Sequence, residues 1–256
     1  MIDPPYPVRP VALITGAGTG VGAATAMLLA KQGYDVAIGY RGSAVGAAQT
    51  AVACRAEGAE TIELQADVAR DPDCRATVDA VIARFGRLDA LVNNAGATEV
   101  VAMADLEALS ADHFQRLTAI NVVGAFQMTR AAAPYLAQGP GAIVNISSLS
   151  GINGSGSSIA YAASKGALNT MTLSLARVLA PVRVNAITPG VIDTEWMVRS
   201  AGEQAFQRTK DRVAKVATLG GVSSADDIAA AVVWLLHARA MTGELIRIDA
   251  GFTLGR

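Results

Sequence analysis

Short apolar runs separated by stretches of helical periodicity constrain this chain more than any other feature. The runs at 11–15, 35–39, 61–66, 90–93, 142–146, 183–187 and 245–248 are rich in Val, Ile and Leu and read as strands, most of them buried on both faces. Between them, 20–32, 43–57, 71–85, 110–138, 160–180 and 224–236 read as helices; the last places Ile228, Ala231, Val232, Leu235 and Leu236 on one stripe. Strands without polar alternation, joined by helical crossovers, predict a doubly wound parallel α/β sheet of about seven strands with helices on both faces.

Helix punctuation agrees with this reading. Gly33 sits where a left-handed C-terminal residue belongs, Ser110 opens the long helix, and Ser224 with Asp226 and Asp227 opens the last. No repeat or linker divides the chain, so 1–256 is expected to form a single domain, with an extended tail at 1–10. The segment 195–222 is much longer than an ordinary strand-to-helix loop and is expected to be a substrate lid of mixed polarity.

An apolar share of 52% against 17% charged residues can build a large core, and a net charge of -1 leaves no global positive field to gather nucleic acid. Cys54 and Cys74 have no His at ligand spacing, so no metal site is expected and both read as small buried hydrophobes. No run of 18 uncharged apolar residues exists to span a bilayer, and the N-terminus lacks the basic-then-apolar order of a secretory signal; a cytoplasmic location is the expectation.

Chemistry collects after the strands. The first runs into Gly16-Ala17-Gly18-Thr19-Gly20-Val21-Gly22 and then a helix, where glycines let backbone N–H groups approach a pyrophosphate and the helix N-terminus favours its charge. Arg41, Asp67, Asn93, Ser148 and Pro189 each follow a different strand, and in an open α/β sheet those ends share the ligand-binding edge. Tyr161 and Lys165 stand at i and i+4 of one helix, so an ammonium can sit near a phenol oxygen. A cation at about 4–6 Å favours phenolate, and the spacing predicts that Lys165 lowers the Tyr161 pKa from about 10 and makes it a usable acid/base.

Thr15-Gly16-x-x-x-Gly20-x-Gly22, Asp67-Val68, Asn93-Asn94-Ala95-Gly96, Asn121, Ser148, Tyr161-x-x-x-Lys165 and Pro189-Gly190-x-x-x-Thr194 occur in one order. With these motifs the chain resembles a short-chain dehydrogenase/reductase over essentially its whole length. The resemblance implies a catalytic set of Asn121, Ser148, Tyr161 and Lys165, with Asn121 helping to hold a proton-relaying water chain and Lys165 also binding the nicotinamide ribose. It implies dinucleotide contacts from Gly16, Gly18, Thr19, Gly20, Val21, Arg41, Asp67, Val68, Asn93, Ala95, Gly96, Tyr161, Lys165, Pro189, Gly190, Ile192 and Thr194, with Asn93 to Gly96 also stabilising the central sheet. Ser147 and Ser150 compete with Ser148 for its role, although only Ser148 has the family's gap to Tyr161.

The position where an acid takes the ribose hydroxyls of NAD is Tyr40, followed by Arg41, Gly42 and Ser43. One cation, one hydroxyl and no acid among these residues favour the added phosphate of NADP, with NAD use also open because Thr19 stands where many NADP-using relatives carry a basic residue. The substrate wall is expected from Thr98-Glu99-Val100, from Leu149 to Ser155, and from Val191, Trp196 and Met197, which suits a sugar or polyol, a keto-ester or a small cyclic ketone. The resemblance also implies a homotetramer. The reading is therefore an NADP(H)-dependent oxidoreductase acting between a carbonyl and a secondary alcohol. Its rivals are a non-catalytic NAD(P)-binding regulator and a 3-oxoacyl-carrier-protein reductase, the latter weakened by the absence of arginines at 138–141 and 180–182.

Overall fold

The computed structural model describes residues 9–255; of the expected tail at 1–10, only Arg9 and Pro10 fall within them. Seven parallel strands form one sheet in the order β3-β2-β1-β4-β5-β6-β9. They are β1 (Val11–Ile14), β2 (Asp35–Tyr40), β3 (Thr61–Gln65), β4 (Ala90–Asn93), β5 (Ala142–Ile146), β6 (Arg183–Pro189) and β9 (Leu245–Ile248). The chain winds outward from β1 in one direction to β3, then returns to β4 on the other side, which opens a crevice above β1 and β4. The expected doubly wound fold is thus the observed one.

Burial explains why the central strands carry no polar alternation. Every residue of β1, β4 and β5 is buried, and two apolar clusters cover the opposite faces of the sheet. Helices α1 (Gly20–Lys31), α2 (Ala44–Ala56) and α10 (Ala225–His237) pack on one face; α3 (Asp71–Phe85), α5 (Ala125–Leu136) and α7 (Ile159–Val178) pack on the other. Cys54 and Cys74 are free and fully buried, one in each cluster. The start of α10 is closed by a reciprocal box: Asp227 N donates to Ser224 Oγ at 3.1 Å and Ser224 N to Asp227 Oδ2 at 2.8 Å.

Two segments differ from the sequence expectation. The helix expected over 110–138 runs on without a break as α4 (Ala111–Thr118), a π turn (Ala119–Gly124) and α5, and the π turn is the difference. A Cβ on Gly124 would stand 2.7 Å from Val68 Cγ2, so this turn lies hard against the chain that follows β3. The expected lid connection at 195–222 is largely helical: α8 (Glu195–Ala201) and α9 (Glu203–Val216) meet at Gly202, whose φ of +81 permits the sharp corner. A two-residue parallel pairing of β7 (Ile192–Asp193) with β8 (Ser223–Ser224) ties the two ends of this excursion together. A short helix, α6 (Ser150–Asn153), also follows β5.

Candidate active site

At the carboxyl ends of the strands lies a cleft of about 1120 Å³. The glycine turn after β1 forms its first wall. A Cβ on Gly22 would stand 2.4 Å from Gly16 O, and one on Gly18 only 2.3 Å from Ser43 Oγ, so the turn is pressed flat against its surroundings. Asn94 and Thr15 staple it: Asn94 Nδ2 donates to the Thr15 and Gly16 carbonyls at 2.9 and 3.0 Å, while the Asn94 and Ala95 amides both donate to Thr15 Oγ1 at 3.0 Å. The first turn of α1 holds no acidic residue and no side-chain cap, so its free N–H groups and positive end of the dipole are left for an anion.

Gly16, Thr19, Gly20, Val21, Arg41, Asp67, Val68, Ala95, Gly96, Pro189, Gly190, Ile192 and Thr194 all line the cleft, as do Ser148, Tyr161 and Lys165. Three expected residues do not. Gly18 is turned against Ser43. Asn93 is buried in the sheet, where its Nδ2 donates to Asn145 Oδ1 at 2.9 Å and Thr129 Oγ1 at 3.1 Å; this links β4, β5 and α5, the sheet-stabilising role the resemblance implies, and keeps the side chain off the cleft. Asn121 lies in the π turn behind the wall. Its Oδ1 accepts from Ala97 N at 2.8 Å, and its Nδ2 donates to Ala97 O at 3.0 Å and Ser164 Oγ at 2.9 Å. Both side-chain donors are therefore committed, and the side chain positions the Ala97 loop against α7.

The catalytic candidates are placed by buried hydrogen bonds. Ser158 caps α7 by accepting from Tyr161 N at 3.2 Å, which seats the tyrosine in the first turn. Lys165 Nζ donates to Ile146 O at 2.8 Å and stands 5.8 Å from the centre of the Tyr161 ring. Gly96 keeps this corner open, since a Cβ there would be 3.3 Å from Asn121 Oδ1 and 3.7 Å from Lys165 Nζ. Among the three serines, Ser147 is used up: its hydroxyl donates within α7, to Asn169 Oδ1 at 2.6 Å and Lys165 O at 3.2 Å. Ser148 faces the cleft beside Tyr161, and its hydroxyl donates to Ser150 Oγ at 3.1 Å.

Proximity to Lys165 does not make the phenol acidic in this structure, contrary to expectation. Burial pushes the Tyr161 pKa up to about 12, with the Ser148 hydroxyl pulling the other way. Burial likewise draws Lys165 down to about 8. Removing both groups from water disfavours both charges. The proton thus rests on the phenol at neutral pH, which is the form a general acid requires.

Arg41 is less free than the sequence suggests, because its guanidinium stands 3.6 Å from Asp67 Oδ2. On the substrate side, Thr98, Val100, Leu149, Val191, Trp196 and Met197 line the cleft as expected, but Glu99 is turned aside into an ion pair with Arg116. Beyond the expected Trp196 and Met197, the lid contributes Ser200, Ala205, Thr209, Arg212, Val213 and Val216, which were not singled out in the sequence.

Comparison with known proteins agrees with this geometry. Residues 16–253 match the family described as enoyl-(acyl carrier protein) reductase. A short-chain dehydrogenase/reductase from Burkholderia xenovorans is similar in structure, with a TM-score of 0.89, 42% identity and coverage of 98% of this chain and 100% of that one. The chain is a short-chain dehydrogenase/reductase. Another similar protein bears the name of a granaticin polyketide synthase ketoacyl reductase, from Streptomyces violaceoruber, 38% identical and aligned over 96% of each chain. NAD+-bound xylitol dehydrogenase has a TM-score of 0.86 at 30% identity, covering 96% of this chain and 100% of that one. This family member is accordingly an NAD(P)-linked oxidoreductase of small molecules. No helix of its described residues is long and apolar enough to cross a membrane.

Proposed function

We propose that this enzyme interconverts a carbonyl and a secondary alcohol on a small molecule, using NADP(H), with Tyr161 as the proton donor and acceptor. The convergence of Ser148, Tyr161 and Lys165 at one edge of a dinucleotide-sized cleft carries the reading. When bound, the nicotinamide supplies or takes the hydride. The glycine turn and the uncapped start of α1 fit the pyrophosphate, Lys165 and Thr194 the nicotinamide end, and Asp67 and Val68 the adenine side. Ser148 can redirect its hydroxyl from Ser150 to the substrate oxygen, holding that oxygen within reach of the phenol, and Tyr161 then delivers its proton to the developing alkoxide. Lys165, buried beside it, offers the positive charge that the tyrosinate left behind requires.

Arg41 and Ser43 at the adenosine end, with Tyr40 instead of an acid at the end of β2, support the 2′-phosphate of NADP. Partial pairing of Arg41 with Asp67 leaves room for NAD as well. A homotetramer in the cytoplasm completes the proposal. Exposed Val123 and Phe126 beside α5, Leu173 on α7 and Trp234 on α10 give those helices apolar surface to bury against other copies, and two free cysteines suit a reducing compartment.

Loss of NADPH absorbance with a panel of sugars, diketones and cyclic ketones tests the activity. Tyr161→Phe is expected to lower kcat by about 10²–10⁴-fold while leaving NADPH binding in place. Binding of NADPH with no turnover of any carbonyl would instead favour a sensor. For the cofactor, Tyr40→Asp with Arg41→Ala is expected to move the kcat/KM ratio towards NAD, and an unchanged ratio overturns the NADP assignment.

A further inference from the structure

Resting on the reductase reading above, we infer that the substrate carries a carboxylate as well as its carbonyl, and that Arg212 of the lid binds it. Four charged side chains line the cleft among the described residues: Arg41, Asp67, Lys165 and Arg212. Three have evident work. Arg41 and Asp67 face each other at the adenosine end, and Lys165 is held by the Ile146 carbonyl beside Tyr161. Arg212 is left over, on the face of α9 that also presents Ala205, Thr209, Val213 and Val216 to the cleft.

No carboxylate of the described residues lies within 4.0 Å of its guanidinium. The acids that could have neutralised it are engaged elsewhere: Asp211 accepts from Gln207 Nε2 at 2.9 Å, and Asp193 pairs with Lys210 at 2.5 Å. Apolar lining comes from Trp196, Met197 and Ala201 on α8 and from Val100, Val101 and Met103 after β4. Arg212 itself is exposed, so a neutral substrate would bury apolar surface there and leave the guanidinium to water. A keto acid or hydroxy acid with an apolar middle fits both features, its carbonyl at Tyr161 and its carboxylate accepting the fork of Arg212.

The test compares 4-oxopentanoate, 5-oxohexanoate and 6-oxoheptanoate with their methyl esters under saturating NADPH. The best acid is expected to exceed its ester about tenfold in kcat/KM, mainly through KM, as one partly exposed charge-assisted hydrogen-bonded pair would give. Arg212→Ala should bring that acid-to-ester ratio down towards one, and Arg212→Lys should restore part of it. Calorimetry supplies an arm that needs no turnover: NADPH-loaded protein should bind hexanoate about tenfold more tightly than hexanamide, and Arg212→Ala should abolish the difference. A ratio that Arg212→Ala does not change, or a loss of NADPH affinity in its place, overturns the inference. If no carbonyl is reduced, the reductase reading falls, while the calorimetric comparison still decides the role of Arg212.

Discussion

The strand-end wall of the cleft and its lid are built to different standards. Around Thr15, Asn94, Ser147, Asn121 and Lys165, nearly every polar atom is spoken for by a buried partner from a distant part of the chain. The lid has little of this. Helix α8 buries no residue and α9 buries only Phe206 and Val213; the tethers of the excursion include the two-residue β7–β8 pairing, an exposed Lys210–Asp193 ion pair and hydrogen bonds from Thr218 and Leu219 to the 250–255 turn. Buried networks hold reacting groups to a fraction of an ångström, whereas an exposed helix pair with few buried contacts opens at low cost. The chemistry is therefore fixed by the wall, and substrate choice is free to change on the lid without disturbing it.

Substitutions on the two sides should separate these roles. Gly22→Ala strikes the wall where no neighbour can yield, against the Gly16 backbone, and is expected to cost at least about 1–3 kcal/mol, with a fall in Tm of several degrees and impaired NADPH binding. A stable, fully binding variant would break the idea of an over-determined wall. Phe206→Ala removes one of the two buried anchors of α9. A buried aromatic in a cooperative core would cost about 3–5 kcal/mol, but here the expected loss is local: amide exchange should accelerate across 195–216 and substrate KM should rise, with Tm falling less than in Gly22→Ala. Equal acceleration in β1, β4 and β5 would show that lid and wall unfold together.

The smallest effect concerns Lys165. Its pKa is drawn down to about 8 in the folded protein, so between there and the ordinary lysine value the unfolded chain holds more protons. Its share of stability is fully present above that ordinary value and is lost as pH falls through 8. The Tm gap between the wild-type protein and Lys165→Ala should thus widen in favour of wild type on going from pH 7 to pH 9.5; a gap independent of pH would mean that the amine is not desolvated.

The sheet and the place where its chemistry gathers are legible in the order of residues alone. Strands such as 90–93 and 142–146 are apolar without alternation because both faces are covered, and that pattern survives in one dimension; so does the rule that ligand groups follow strand ends. The i, i+4 spacing of Tyr161 and Lys165 was equally legible, since it depends only on helix geometry. Tertiary structure decided the rest. The π turn at 119–124 packs against Val68, and the Asn93 side chain meets a partner on β5; the residues in each contact are more than fifty positions apart, so their geometry is not local. Helix α8 is too short to show an apolar stripe, whereas α9 carries one in Ala205, Phe206, Val213 and Val216, which the reading of 195–222 as a long connection passed over. The direction of the Tyr161 pKa depends on how much water is excluded around it, a sum over residues from many elements that spacing along one helix cannot contain.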